Sequence, residues 1–178
     1  MNNSLRLLLF SKMMATGGFS LIELMVALVI AIILIMVGVP TFNSLIRDYR
    51  LRITSEDLYN TLNYARTEAV KRNAIIYVSF NTGDTWCYGV NTGSACNCTV
   101  ANNCNLGTTT YPAAQQLTMT TSGLVSNSIY FEGAHGAANA SGSMTFTEYG
   151  LTPYVQLTVG RLGRVQSCSN TLGGYQGC

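Results

Sequence analysis

The sequence predicts an α+β protein in which a long N-terminal helix packs on an antiparallel β-sheet head. Residues 19–72 carry helical apolar patterns interrupted by one proline, whereas residues 74–160 carry short alternating runs separated by glycine, asparagine and serine. All six cysteines follow the helical part, which is typical of a small, loop-rich domain held by disulfides. The 178 residues are enough for one domain with a core and appendages.

Charge is scarce and balanced in this chain. Charged residues make up 10% of the sequence, whereas the usual share is about 25%. Two of the ten basic residues, Arg6 and Lys12, precede Gly18, and the other eight are matched by eight acidic residues. The composition therefore carries no general signature of a polyanion-binding protein.

The helical part begins with an apolar segment that contains one acid. Leu24 to Val39 is an uncharged run of sixteen residues, and a membrane-spanning helix needs roughly 20. The run reaches that length only if it includes residues 19–22, which places Glu23 inside the predicted span. An ionised acid costs roughly 2.5–3.5 kcal/mol at the centre of such a helix and less near its ends. Glu23 is therefore a candidate functional residue.

This segment differs from an ordinary secretory signal. Such a signal has a small-x-small cleavage site just after its apolar run, but here the small residues Gly17 and Gly18 stand before the run. Basic residues flank both ends and leave the orientation open. The cysteines decide it, because they predict a cytoplasmic N-terminus and a C-terminal part in an oxidising compartment.

The stretch GFSLIELMVALVI resembles the class III leader of type IV pilins and related pseudopilins. In that family, the prepilin peptidase cuts between a glycine and a phenylalanine on the cytoplasmic side of the membrane. The resemblance implies cleavage between Gly18 and Phe19, N-methylation of Phe19 and a helix bent or locally unwound at Pro40. It also implies a leader over residues 1–18 and a transmembrane and assembly helix over residues 19–40.

The same resemblance implies a role for Glu23, which becomes the fifth residue after the cut. In family filaments, this acid pairs with the N-terminal ammonium of a neighbouring subunit. An unpaired acid in an apolar filament core is costly, and the ammonium of a neighbour's Phe19 removes most of that cost. Glu23 is interpreted as an assembly residue, not a catalytic one.

Residues 41–73 are predicted to form an amphipathic helix that packs on the head. Its buried stripe has the spacing 4, 3, 4, 3, 4 and comprises Leu51, Ser55, Leu58, Leu62, Ala65 and Ala69. Asn73 is expected to end the helix as a left-handed C-cap. Two i,i+4 ion pairs are expected on exposed faces of the helix, namely Asp48–Arg52 and Glu68–Arg72.

The head, residues 74–178, is predicted to be β-rich. Six strands are expected from alternation and β-branched content, at residues 74–80, 85–90, 116–121, 128–132, 143–148 and 154–160. The head resembles the GspH/FimT/FimU group of the pilin family. LNYARTEAVKRNAIIYVSF resembles the group's helix–strand signature, and WCYGV, IYFEGAHG and GRLGRVQSC fit its later patterns, whereas NTGSACNCTVANNC is an extra loop. Members of this group are minor subunits that initiate or cap filaments.

The first four cysteines have the spacing C-x8-C-x-C-x5-C, which is not a standard zinc pattern. Two disulfides are expected among them, and no metal or other cofactor. Two pairings are open: Cys87–Cys96 with Cys98–Cys104, or Cys87–Cys98 with Cys96–Cys104. The remaining two, Cys168 and Cys178, are expected to close a C-terminal loop and to add a few kcal/mol of stability at most.

The sequence does not favour an enzyme. The single histidine, His135, lies in a Gly/Ala loop and is expected to be solvated. The chain offers no general-base constellation, phosphate loop or metal cluster.

Three functions are compatible with the resemblance. The first is a minor pilin that starts assembly or sits at the pilus tip, with the prepilin peptidase, the inner membrane and other minor and major pilins as partners. The second is a FimT-like minor pilin that binds DNA through Arg161 and Arg164, although Gln166 stands where that group's tail has a second arginine. The third and weakest is a minor pseudopilin of type II secretion. The expected location is the inner membrane with a periplasmic head, and then the pilus.

Overall fold

The computed structural model describes residues 18, 20–113, 116–148 and 151–178, and within these all side chains except those of residues 37–41 and 151–153. One α-helix, α1, runs from Leu21 to Arg72 and is continuous through Pro40. The chain divides into two units between Asn43 and Ser44. Each unit is described by itself.

In the first unit, the large apolar side chains of α1 from Leu21 to Met36 are exposed. No helix within the described residues is both long enough and apolar enough to cross a membrane. The leader and Phe19 lie outside the described residues, and the expected span over residues 19–40 stays a prediction.

The second unit is built on the predicted helical stripe. All six of its residues are fully buried, which confirms the spacing: Leu51, Ser55, Leu58, Leu62, Ala65 and Ala69. Asn73 has a φ of 48°, and the N–H of Ala74 donates to the carbonyl of Ala69 at 3.1 Å. The predicted left-handed C-cap is therefore confirmed.

Among the described residues, eight strands follow the helix and form two antiparallel sheets, where the sequence predicted one. Their bounds are β1 Ile76–Asn81, β2 Trp86–Thr92, β3 Gly107–Tyr111, β4 Leu117–Ser122, β5 Ser128–Phe131, β6 Gly142–Glu148, β7 Leu151–Val159 and β8 Val165–Ser169. The strand orders are β3-β2-β1-β5 and β4-β6-β7-β8. The six predicted strands are confirmed, whereas β3 and β8 were not predicted. One apolar core contains side chains of α1 and of both sheets.

The expected surface ion pairs need correction. Arg52 does not pair with Asp48, because its guanidinium donates to the carbonyl of Gly173 at 2.6 Å. Asp48 lies 3.6 Å from Arg47 instead. The second pair, Glu68–Arg72, is present, but Glu68 is 6% exposed and therefore does not lie on an exposed face. The hydrogen bond from Arg72 holds the pKa of Glu68 below its usual value.

Candidate functional site

The N-terminal site is the first turn of α1, where Glu23 lies. The carbonyl of Ser20 accepts from the N–H groups of Glu23 at 3.0 Å and Leu24 at 3.2 Å, so Ser20 is the N-cap of the helix. Sequence reasoning missed this cap, although Ser-Leu-Ile-Glu has the spacing of a capping box. An acid in the first turn also complements the helix dipole.

Glu23 is exposed, and within the described part of the chain its carboxylate has no ion pair or hydrogen bond. Gly18 is exposed as well. The expected cut and the methylation involve Phe19, which lies outside the described residues. For Pro40 the structure gives only a position inside the helix. The roles of these four residues therefore stay predictions.

The second site is the β7–β8 hairpin, which carries Arg161 and Arg164. The N–H of Gly160 donates to the carbonyl of Arg164 at 2.9 Å and closes the loop. Both arginine side chains are exposed and have no ion pair or hydrogen bond to the residues that the structure describes. They flank Leu162, an apolar side chain that is 81% exposed. The loop therefore presents two exposed guanidinium groups, without a partner among the described residues, on either side of the apolar Leu162.

Arg66 of α1 holds this hairpin loop in place. Its Nε donates to the carbonyl of Gly136 at 3.1 Å, and its Nη2 donates to the carbonyl of Leu162 at 3.3 Å. One side chain in the ARTEA run therefore ties together the segments GAHG and GRLGR, which are distant in sequence. Sequence analysis assigned no role to Arg66, and the only signal that could have found it is its place in the family's helix–strand signature.

Two glycines allow these segments to approach closely. Gly163 has a φ of 73°, and a Cβ at this position would overlap the carbonyl oxygen of Gly136. A Cβ on Gly133 would lie 2.5 Å from the backbone N of Ala74 at the helix C-cap. Only a residue without a side chain fits at either position.

The first four cysteines close the extra loop over the outer face of the β1–β2 sheet. The structure pairs Cys87 with Cys98 and Cys96 with Cys104, which is the second of the two pairings that the sequence left open. The loop lies on Gly89, where a Cβ would overlap the Cys104 sulfur. No group of side chains that could hold a metal ion is present among the described residues.

The third disulfide joins Cys168 to Cys178 and shapes the C-terminal loop. This loop packs on α1 through two contacts of Tyr175. The Arg52 guanidinium lies 5.6 Å from the centre of the Tyr175 ring. The Tyr175 hydroxyl and Ser55 Oγ are hydrogen-bonded at 3.1 Å. The disulfide and the helix together fix the loop beside β8.

An acid–tyrosine cluster ties α1 to the β2–β3 hairpin. Asp57 accepts hydrogen bonds from the hydroxyls of Tyr88 and Tyr111, the latter at 2.7 Å. Burial raises the pKa of Tyr88 to about 12, and the hydrogen bond to Asp57 adds to the shift. Burial likewise raises the pKa of Tyr111. The Tyr111 ring stacks on Trp86 with centroids 4.1 Å apart.

His135 is exposed, as expected for a loop residue. It lies beside a shallow groove on the helix that is also lined by Arg66 and Lys71. The Lys71 ammonium lies 3.7 Å from the Glu68 carboxylate, so the charge of this lysine is partly neutralised.

Comparison with known proteins places the chain in a family. The family described as type II transport protein GspH matches residues 54–163, which is well over half of the chain. The chain belongs to the GspH family. The match begins inside α1 and ends in the β7–β8 loop, so it contains Arg66, Gly133 and Gly163. A comparison with curated proteins gives no match.

Two crystal forms of the type IV minor pilin FimU from Pseudomonas aeruginosa share the fold. The first has a TM-score of 0.53 and 21% identity, and the alignment covers 66% of this chain and 91% of that chain. The second has a TM-score of 0.51 and 24% identity, covering 65% and 86%. This GspH family member thus has the α+β fold of a minor pilin.

Proposed function

We propose that the chain is a minor pilin of a type IV pilus that helps to start assembly or sits at the tip. The observation that carries this proposal is a GspH-family head on a helix whose N-terminal half exposes apolar side chains from Leu21 to Met36. We expect this apolar surface to be buried by lipid before assembly and by neighbouring pilins after assembly.

Processing and location complete the proposal. The prepilin peptidase cuts between Gly18 and Phe19, and Phe19 is then methylated. Before assembly, residues 19–40 lie in the inner membrane with the head in the periplasm, where the three disulfides are stable. Glu23 then pairs with the N-terminal ammonium of a neighbouring subunit, which matches its exposed position in the first helical turn.

The test is Glu23→Ala, with Glu56→Ala as the matched control, because Glu56 is an exposed acid on α1 outside the apolar segment. Glu23→Ala should leave membrane insertion intact, because it removes an acid from lipid, and should lower the number of pili per cell. Glu56→Ala should keep that number. Equal pilus counts in the wild type and in Glu23→Ala, at equal protein levels, would contradict the assembly role.

A second candidate function is DNA binding by the β7–β8 hairpin. It is favoured by the exposed side chains of Arg161 and Arg164, which have no partner among the described residues, on a loop to which Arg66 donates a hydrogen bond. Two phosphate contacts give a salt slope of about −2, so one copy binds weakly and needs neighbouring subunits for avidity. Gln166 counts against this candidate, since it occupies the position of an expected arginine.

The DNA candidate is tested by salt titration of the detergent-solubilised chain with duplex DNA. Binding should disappear in the double variant Arg161→Ala plus Arg164→Ala. Gln166→Arg should steepen the slope by about 0.9. No binding by the unaltered chain at low salt would leave only the structural role. A role in type II secretion is tested by deleting the gene. If that role is correct, the deletion should reduce secretion and leave the number of pili unchanged.

A further inference from the structure

Within the described residues, the two sheets have four edge strands, and other segments of the chain cover two of these edges wholly or in part. At β4, the N–H of Gly83 donates to the carbonyl of Met119 at 3.2 Å, and the reverse bond is 3.3 Å. At β5, the segment around Ala138 forms a bridge with Phe131. Uncovered edges present free N–H and C=O groups and are templates for pairing with another chain. The other two edges, β3 and β8, are therefore the candidates for pairing with another chain.

The β8 edge is covered at one end only, by the C-terminal loop. Cys168 and Gln176 form a parallel bridge, and the N–H of Ser169 donates to the carbonyl of Gln176 at 3.0 Å. The covered part ends there, so the edge beside Val165 and Ser167 is left open. The loop shows that this edge accepts an extended segment.

The hydrogen-bond pattern identifies the open groups. The bond from Gly160 to Arg164 belongs to the β7–β8 ladder, and bonded and non-bonded pairs alternate in an antiparallel ladder. Val159–Val165 and Leu157–Ser167 are therefore non-bonded pairs. Three backbone groups therefore point away from β7, namely the N–H and C=O of Val165 and the N–H of Ser167. The N–H of Ser169, which donates to Gln176, points in the same direction.

The open part of β8 borders a groove. Tyr59 of α1 lines the groove, together with residues 164–167 of the hairpin and residues 174–176 of the C-terminal loop. β8 contains no charged residue and no proline, so it lacks the usual protection of an edge strand. Arg164 lines the groove, and its guanidinium has no ion pair or hydrogen bond to the described residues.

We propose that this groove binds an extended segment of another polypeptide, which adds to the open edge of β8. Backbone hydrogen bonds to Val165 and Ser167 provide the affinity, and a carboxylate at the end of the segment pairs with Arg164. That the segment belongs to a neighbouring pilus subunit rests on the proposed function. The strand-addition site itself does not.

The probe is a capped hexapeptide of alternating threonine and valine that ends in glutamate, with a lysine-ended peptide for comparison. Added to the detergent-solubilised full chain, the glutamate peptide should slow amide exchange at Val165 and Ser167. It should bind about two- to fivefold more tightly than the lysine peptide, as expected of one exposed ion pair. Arg164→Glu should reverse this preference.

Ser167→Pro removes an open-edge N–H without breaking a bond to β7 and should abolish binding. Ser167→Ala keeps that N–H and should bind normally. The proposal is overturned if neither peptide binds, if protection appears elsewhere, or if a peptide N-methylated at alternate residues binds equally well. It is also overturned if Arg164→Glu leaves the preference unchanged. A pilus-count result that contradicted the proposed function would leave these measurements unaffected.

Discussion

The protein should lose stability against unfolding at alkaline pH, and Tyr88→Phe should remove a large part of that loss. The Tyr88 hydroxyl is buried and donates to Asp57, and its pKa is raised to about 12, whereas an unfolded tyrosine has a pKa of about 10. A raised pKa means that the folded state favours the neutral phenol. The corresponding stability is complete below pH ~10 and is lost as the pH rises towards ~12. Two pKa units correspond to about 3 kcal/mol.

The assay is urea unfolding at a series of pH values, followed by the fluorescence of Trp86. Trp86 is the only tryptophan, is fully buried and stacks on Tyr111, so it reports the unfolding of this cluster. At neutral pH, Tyr88→Phe should cost about 1.5–3 kcal/mol, because it removes a hydrogen bond to a charged group. Tyr64→Phe, at an exposed position, is the matched control.

Above pH ~10, the variant should lose less stability than the wild type, and the raised pKa of Tyr111 accounts for the loss that remains. Adding Tyr111→Phe should then flatten the profile further. The reasoning is refuted if the wild type is equally stable at pH ~10 and ~12. An equal loss in Tyr88→Phe would refute it as well.

Three further predictions concern the second unit, measured by urea unfolding at neutral pH. Leu62→Ala should destabilise it by about 2–5 kcal/mol, because Leu62 is fully buried; a loss below ~1 kcal/mol would contradict its place in the core. Gly163→Ala should cost more than ~1 kcal/mol, because the backbone has a positive φ and the new Cβ would overlap the carbonyl of Gly136. Gly160→Ala should cost less, because its Cβ would have no close neighbour. Equal effects of the two substitutions would contradict the packing of the loop. Cys168→Ser with Cys178→Ser should cost about 2–4 kcal/mol, and unchanged stability would mean that the loop is ordered without its disulfide.

Sequence periodicity predicted the second half of α1 and strands such as β6, because each has a buried and a less buried side. β2 is buried on both sides and was predicted from its residue types and the preceding turn. The stripe from Leu51 to Ala69 alternates by three and four, and only one face of α1 enters the core. β3 was missed because GTTTY has no buried side. β8 was missed because VQSCS is mostly polar, and its burial comes from the C-terminal loop and the core together.

Among the candidate sites, the sequence revealed residues with a local pattern but not residues whose partners are distant in the chain. Glu23 stood out because an acid inside an apolar run is unusual and local in sequence. Arg66 could not be given a role, because its partners Gly136 and Leu162 lie 70 and 96 residues further along the chain. Arg52 was assigned to a local pair with Asp48, because no local pattern reveals a carbonyl 121 residues away.

The central claim is that the chain is a processed subunit of a pilus, and mass spectrometry of sheared pili tests it most directly. The account predicts a minor component in this fraction whose N-terminal peptide begins with methylated Phe19 and contains Glu23. The same component should carry three intact disulfides. A chain that still begins at Met1 in cells with an active prepilin peptidase, and that is absent from the sheared pili, would contradict the account.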